Sequence, residues 1–191
     1  YTSGVVAVPG WFGTGADPLW GESPVPYGPL FLVLERGVAN FAQGNPLLGA
    51  YVFRVIAVAG VLLMAWGVAR LAQLHGISRS KALWLVALNP LVLMHFIVGV
   101  HNDALMVGLI TVAFVLALER KPAAAAVLIG MAGAVKPIGL LVLPFIGIIW
   151  AGQRAGFWSR VVKWVWCALI VIAVFAGLSL ITRTGLGWLD A

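Results

Sequence analysis

The chain has 191 residues, of which 62% are hydrophobic and only 9% are charged, and its net charge is +6. A soluble domain carries roughly one quarter charged residues, so this composition excludes an ordinary soluble fold and indicates an integral membrane protein. The twelve Lys and Arg residues are spread over short loops rather than gathered on one face, which argues against a nucleic-acid partner. We therefore predict an all-α protein whose surroundings are membrane lipids.

Residues 1–46 are predicted to form an outer, partly ordered loop that contains an interfacial helix. Pro and Gly recur too often in residues 1–29 for a helix. Residues 30–41 have helical composition with Glu35 and Arg36 at the centre, which is typical of a helix that lies in the membrane interface. The chain opens at Tyr1 without Met or a signal-type apolar segment, so we expect a piece of a longer protein.

Residues 47–191 are predicted to form a single domain, a transmembrane helical bundle that is truncated at both ends. A spanning helix needs about 20 apolar residues. Six segments are candidates: about 47–69, 82–100, 104–118, 123–135, 138–151 and 164–182. Alternate loops between them carry Arg70, Arg79, Lys81, Arg120, Lys121, Arg154, Arg160 and Lys163. The positive-inside rule places these loops in the cytoplasm, which predicts a multi-pass plasma-membrane protein.

The acidic residues lie mostly on the predicted outer side, and only Glu119 lies on the predicted inner side. His101, Asn102 and Asp103 interrupt two apolar segments on the predicted outer face. A simple loop would explain them, but the loop is so short that we expect Asp103 to cap the next helix, where a carboxylate gains from the helix dipole. His101 and Asn102 would then project into a cavity above the membrane surface, which indicates a polar site on the outer face.

Lys136, followed by Pro137, ends a segment too short to cross a hydrocarbon core of about 30 Å, so Lys136 should lie below the outer surface. An intramembrane cation indicates a functional site, with snorkelling to the interface as the alternative. One long helix kinked at Pro137 would put Arg154 and Arg160 outside, so we favour a hairpin. Arg54, about two turns into the first segment, either snorkels or lines the same cavity as Lys136.

The positions of the Cys and His residues predict no metal site. Cys167 is the only cysteine and lies in an apolar run, where packing is the simplest role. His75, His95 and His101 lie on different segments, and we do not expect them to converge. The spacing of His101 and Asp103 likewise matches no metal motif, and no Ser or Cys nucleophile accompanies them.

Several motifs together resemble one enzyme family. The string ADPLWGESPVPYGP at residues 16–29 resembles the actinobacterial polyprenol-phosphomannose-dependent alpha-1,6-mannosyltransferases, which belong to the GT-C superfamily of membrane glycosyltransferases. Asn89-Pro90, GVHND at residues 99–103 and VKP at residues 135–137 follow in the same order. The resemblance implies that the chain is a fragment of a larger GT-C-type bundle.

The resemblance also implies an activity. Mannose would move from polyprenyl-phosphate-mannose to a lipid-anchored mannan acceptor, in alpha-1,6 linkage, at the outer membrane face. The main catalytic base of such enzymes is an acid expected upstream of Tyr1, so Asp103 and His101 would support it. Lys136 and Arg54 could serve the donor phosphate.

Further side chains of the outer loop fit a sugar site. Asp17 and Glu22, with His101, Asn102 and Asp103, could orient sugar hydroxyls, and a divalent cation held by these acids is an option. Trp20 and Tyr27 could stack on sugar rings or anchor the chain at the interface.

Two other classes of function are open at this level. A transporter or flippase for a lipid-linked or anionic substrate would use Asp103, Lys136 and Arg54 as a relay, but it would usually show polar residues near the middle of several helices and a trace of internal repeats. The apolar segments contain few polar residues apart from Lys136 and Arg54, which favours a surface site. A non-catalytic assembly subunit is the third class.

Overall fold

A computed structural model describes residues 27–182 of the chain. Of these residues 84% are helical, and this range contains no strand, so the all-α prediction is confirmed there. The helices are α1 (Pro29–Ala42), α2 (Pro46–Leu74), α3 (Arg79–Val86), α4 (Pro90–Val98), α5 (Asp103–Leu118), α6 (Pro122–Val135), α7 (Leu143–Ala151) and α8 (Phe157–Thr182). Helix α4 is π-helical from Leu93 to Val98, and a 3-10 helix, Pro137–Val142, precedes α7.

Asparagine–proline pairs begin two of the helices. The Asn45 side chain accepts hydrogen bonds from the amides of Leu47 and Leu48 at 3.1 and 3.2 Å, which caps α2. Asn89 caps α4 in the same way and has extended backbone angles. Because proline disfavours a helical conformation in the residue before it, the segment predicted as one helix over 82–100 is broken there, and α3 and α4 meet at 49°.

Helix α6 is the centre of the bundle. Its small side chains allow close approach: Ala125, Ala126 and Ile129 are fully buried together with Ile146 of α7 and Cys167 of α8. This confirms the predicted packing role of Cys167 and shows that the alanines of α6 allow close helix contact. It also confirms the hairpin, because α7 returns along α6 instead of continuing it.

Helices α2 and α5 approach closely through glycines. A Cβ atom on Gly60 would clash with the backbone of Ala104, and a Cβ atom on Gly108 would clash with the carbonyl of Gly60. Backbones this close leave no room for a side chain, so small residues are required at both positions.

Two helices, α2 and α8, are long and apolar enough to cross a membrane, and the bent pair α3–α4 would make a third. Helices α5 and α6 and the 3-10/α7 segment are apolar but shorter than 18 residues, so six spans are not confirmed. Large apolar side chains such as Leu91, Leu180 and Ile181 are more than 70% exposed, which suits a lipid environment better than water.

Ionic contacts mark the two ends of α5. At its C-terminal end, Glu119 pairs with Arg70 of α2 at 2.7 Å. At its N-terminal end, Asp103 pairs with Lys136, which follows α6. The predicted inner residues Arg70 and Glu119 therefore lie at one end of the bundle, and the predicted outer residues Asp103 and Lys136 at the other.

Candidate functional site

The most polar part of the described bundle is built around an ion pair. The ammonium Nζ of Lys136 donates hydrogen bonds to both carboxylate oxygens of Asp103, at 3.0 Å each. The two side chains are 33% and 20% exposed, so the pair is neither fully buried nor at the surface. An ammonium has three N–H groups, and two acceptors therefore leave one available for another ligand. Lys136 is therefore held by Asp103 within the bundle.

The position of Lys136 follows from the residue after it. Pro137 lacks a backbone donor and ends α6, so Lys136 adopts extended backbone angles just past the last helical residue. From this position just past the helix, its side chain reaches Asp103 at the start of α5. Lys136-Pro137 therefore accounts for the end of α6, while the pairing itself depends on the contact of α6 with α5.

The expectation that Asp103 caps α5 is wrong. Asn102 occupies the capping position, and Asp103 is the first helical residue, where its carboxylate contacts Lys136. Asp103 still lies in the first turn, so it gains from the helix dipole. The Asp103 carboxylate is therefore held by the ion pair and not by a capping hydrogen bond.

Asn102 and His101 complete the predicted outer triplet, and they differ in exposure. The side chain of Asn102 is only 8% exposed, and its amide Nδ2 has no acceptor within residues 27–182. A buried donor without a partner is costly, and such groups often serve a ligand. The His101 ring is exposed, and its Nδ1 is 3.8 Å from Asp103 Oδ2, which is too long for a hydrogen bond.

His95 was missed by sequence reasoning. Its ring stacks on that of His101, with centroids 4.0 Å apart and an interplanar angle of 14°. The expectation that the histidines do not come together is therefore wrong for this pair, since the π-helix and the turn after it fold His101 back over His95. His75 lies elsewhere, after α2, with its Nδ1 2.8 Å from the carbonyl oxygen of Leu71.

Tyr27 approaches this cluster from the N-terminal side. The amide of the next residue, Gly28, donates to the carbonyl oxygen of Val135 at 3.2 Å, which holds the chain against the end of α6. Burial raises the pKa of the Tyr27 phenol, the charge of Glu35 raises it further, Lys136 lowers it and Asp103 raises it. Tyr27 therefore lies near the charges of Glu35 and of the ion pair.

Glu35 is a second residue that sequence reasoning did not assign to the site. It lies on the buried face of α1, between Phe31 and Val38, and burial raises the pKa of its carboxyl to about 7. The signal was present in the sequence, because positions 31, 35 and 38 follow helical spacing and form one face. An acid on an otherwise apolar helix face is unusual, because Glu is rarely buried.

Arg54 is positioned differently from Lys136. Its Nε donates to the carbonyl oxygen of Ile97 at 3.3 Å, which ties α2 to the π-helical segment that carries His95. No direct contact joins Arg54 to Lys136 among the described side chains. The predicted site residues Asp17, Trp20 and Glu22 lie outside the described residues.

Comparison with known proteins gives a consistent family. Residues 1–152 match the family model described as alpha-(1->6)-mannopyranosyltransferase, N-terminal domain. The chain is 37% identical over 199 residues to alpha-(1->6)-mannopyranosyltransferase A of Mycobacterium tuberculosis, which covers 100% of this chain and 38% of the relative. It is 33% identical over 159 residues to alpha-(1->6)-mannopyranosyltransferase A of Corynebacterium glutamicum, with 82% of this chain and 32% of the relative covered.

A third relative, alpha-(1->6)-mannopyranosyltransferase B of Corynebacterium glutamicum, is 30% identical over 191 residues, with 90% of this chain and 32% of the relative covered. The chain thus spans about a third of the length of these curated relatives. No solved structure matches the chain.

Proposed function

Since the chain belongs to the alpha-(1->6)-mannopyranosyltransferase family, we propose that it forms part of a membrane enzyme that transfers mannose from polyprenyl-phosphate-mannose to a lipid-anchored mannan. In this proposal the shorter apolar helices complete a six-span fragment of a GT-C-type bundle in the plasma membrane. The reacting groups meet on the outer face, where a lipid-linked donor presents its phosphate. The observation that carries the proposal is the Lys136–Asp103 pair beside the unpartnered amide of Asn102.

Lys136 is proposed to bind the donor phosphate. As the bond between mannose C1 and the phosphate oxygen breaks, its electron pair stays on the phosphate, and negative charge builds there. A fixed ammonium with an unused N–H group stabilises this charge more than it stabilises the intact donor. Asp103 keeps the ammonium in place through two hydrogen bonds, so the cation needs little rearrangement during the reaction.

Asp103, Asn102 and His101 are proposed to orient the sugars. Sugar hydroxyls both donate and accept hydrogen bonds, and these three side chains offer a carboxylate, an amide donor and an imidazole. The acceptor hydroxyl attacks mannose C1 and gives its proton to a base, a role that the family resemblance assigns to an acid preceding Tyr1. Asp103 and His101 therefore support catalysis by positioning the acceptor.

Mannose transfer by the full-length protein tests the role of Lys136. Lys136→Met should lower turnover by about one to three orders of magnitude, the usual loss when one preorganised electrostatic contact is removed. Lys136→Arg should keep part of the activity, because the charge persists while the geometry changes. Lys163→Met is the matched control, since Lys163 lies over the Trp150 ring and makes no contact with Asp103.

The assay uses polyprenyl-phosphate-mannose with and without a short mannan acceptor. Normal turnover and normal donor affinity in folded Lys136→Met protein would contradict the proposed role. A second candidate, a flippase for a lipid-linked substrate, is favoured only by the break between α3 and α4, since interrupted helices line many transport sites. Acceptor-independent movement of the donor across vesicles, without mannose transfer, would support that candidate instead.

A further inference from the structure

Three side chains that commonly bind metals converge next to the ion pair. His95, His101 and Asp103 each offer one ligand atom, and these atoms all lie within 4.8 Å of one another. Both histidines are exposed. His101 Nδ1 and Asp103 Oδ2 are already 3.8 Å apart. The three residues come from the end of α4, the following turn and the start of α5.

The backbone that brings them together is unusual. The residues around His95 form a π-helix, a rare structure that is frequently found at functional sites. Val100 then has φ of +54°, a left-handed conformation that is strongly disfavoured for a β-branched residue. Strain of this kind persists where the surrounding structure enforces it, often for function. Its effect here is to fold His101 over His95.

Gly99 is part of the same arrangement. A Cβ atom at this position would lie 3.0 Å from His101 Cδ2 and closer still to the carbonyl oxygen of His95. Only glycine therefore leaves room for the two rings to stack. The π-helix, Gly99 and Val100 follow one another along the chain and together bring the His101 ring over the His95 ring.

The three ligand atoms indicate which class of cation would bind. Two imidazole nitrogens and one carboxylate oxygen are ligands typical of Zn²⁺ and related transition-metal ions, whereas Ca²⁺ and Mg²⁺ prefer oxygen ligands alone. We propose that His95, His101 and Asp103 form a binding site for a divalent transition-metal ion, with Zn²⁺ as the best match. Ligands of a tetrahedral zinc ion lie roughly 3.4 Å apart, since each bond is about 2.1 Å, so modest rotations of the exposed rings close the site.

The metal site and the ion pair share one carboxylate. Lys136 contacts both oxygens of Asp103, and Oδ2 is the oxygen nearer His101. The metal ion takes Oδ2 while Lys136 keeps Oδ1, and a fourth coordination position stays open for water or an anionic oxygen. Two cationic centres then flank one carboxylate, which favours a negatively charged fourth ligand. Metal binding itself follows from the three ligands and does not depend on the proposed transferase activity.

The test measures metal binding by the full-length protein, purified with a tag that contains no histidine and stripped with a chelator. Metal content after equilibration with Zn²⁺, and the visible absorption of bound Co²⁺, report stoichiometry and ligand geometry. His95→Ala and His101→Ala should each weaken binding by more than about tenfold, because even the loss of an outer-shell partner costs that much. His75→Ala is the matched control, since its ring contacts only the Leu71 carbonyl.

Gly99→Ala keeps all three ligands but crowds His101, so it should also weaken binding and shift the Co²⁺ spectrum. His95→Gln repeats the His95 test with a side chain of similar size. Loss of one metal equivalent in the His95 and His101 variants, with the His75 variant unchanged, supports the site. Equal metal content in the wild-type, His95→Ala and His101→Ala proteins overturns it, whatever their mannose-transfer activity.

Discussion

Removing the positive charge of Lys136 should destabilise the protein as well as impair its proposed activity. An isolated charge inside a membrane protein is costly, and from the sequence alone Lys136→Met should preserve the fold or stabilise it. The pairing reverses this expectation, because the substitution leaves the Asp103 carboxylate only 20% exposed and without its cation. Asp103→Asn in the same protein removes the stranded charge and should recover part of the loss.

The loss of stability expected for Lys136→Met lies between two limits. Exposed ion pairs contribute about 0.2–1 kcal/mol, whereas removing one partner of a fully buried pair costs about 3–5 kcal/mol. Lys136 and Asp103 are 33% and 20% exposed, so we expect Lys136→Met to cost about 2 kcal/mol. The coupling energy between the two residues should be about 1–2 kcal/mol.

Unfolding titrations in mixed detergent micelles measure this coupling. A double-mutant cycle compares the free energy of unfolding of the wild-type full-length protein with those of Lys136→Met, Asp103→Asn and the double variant. A second cycle, Arg70→Met with Glu119→Gln, is the control, because that pair at the other end of α5 has side chains 43% and 26% exposed and should couple by less than about 1 kcal/mol. If the Lys136–Asp103 coupling is no larger than the control coupling, our reasoning from burial fails.

Three further predictions address packing, protonation and topology. Gly108→Leu should unfold the protein or lower its melting temperature sharply, because the added side chain forces α2 and α5 apart. Gly177→Leu is the control and should have little effect, since a Cβ atom at Gly177 meets no other atom. Equal effects of the two substitutions on the melting temperature would refute the close packing of α2 and α5. Burial raises the pKa of Glu35 from 4.5 to about 7, so the folded state binds more protons in this window and stability falls as pH rises through it. Glu35→Gln should abolish this fall in stability between about pH 5 and about pH 8. A melting temperature that depends on pH in the same way in the wild-type and Glu35→Gln proteins would contradict this prediction. A cysteine at Asp103 should react with an impermeant reagent in intact cells and a cysteine at Arg79 should not, and the reverse pattern would invert the topology.

The positions of the apolar helices were largely predictable from the sequence, but one end of each of the two longest was not: 47–69 was predicted for α2, which is Pro46–Leu74, and 164–182 for α8, which is Phe157–Thr182. Runs such as 123–135 are long and uninterrupted, so hydrophobicity alone located α6 to within a residue at its start. The break between α3 and α4 was not predicted, although Asn89-Pro90 carried the signal, because an apolar window averages over a single proline. Six spans are not confirmed, because α5, α6 and the segment in which a 3-10 helix precedes α7 are each shorter than 18 residues.

The candidate site was predictable in part. Lys136 and Asp103 were recognised individually as polar residues at the ends of apolar segments, but their pairing depends on the contact of α5 with α6, which has no local sequence signal. His95 was missed for a similar reason. Its distance from His101 along an ideal helix predicts separation, and only the π-helix and the left-handed Val100 bring the rings together.

The two ion pairs at the ends of α5 have a mechanical consequence. Asp103 is tied to the end of α6, and Glu119 is tied to α2, so a neighbouring helix holds each end of α5. Sliding α5 by one helical turn, about 5.4 Å, would break both contacts at once. Sliding α5 along its axis would therefore cost both ion pairs, whereas tilting it together with α2 and α6 would preserve both.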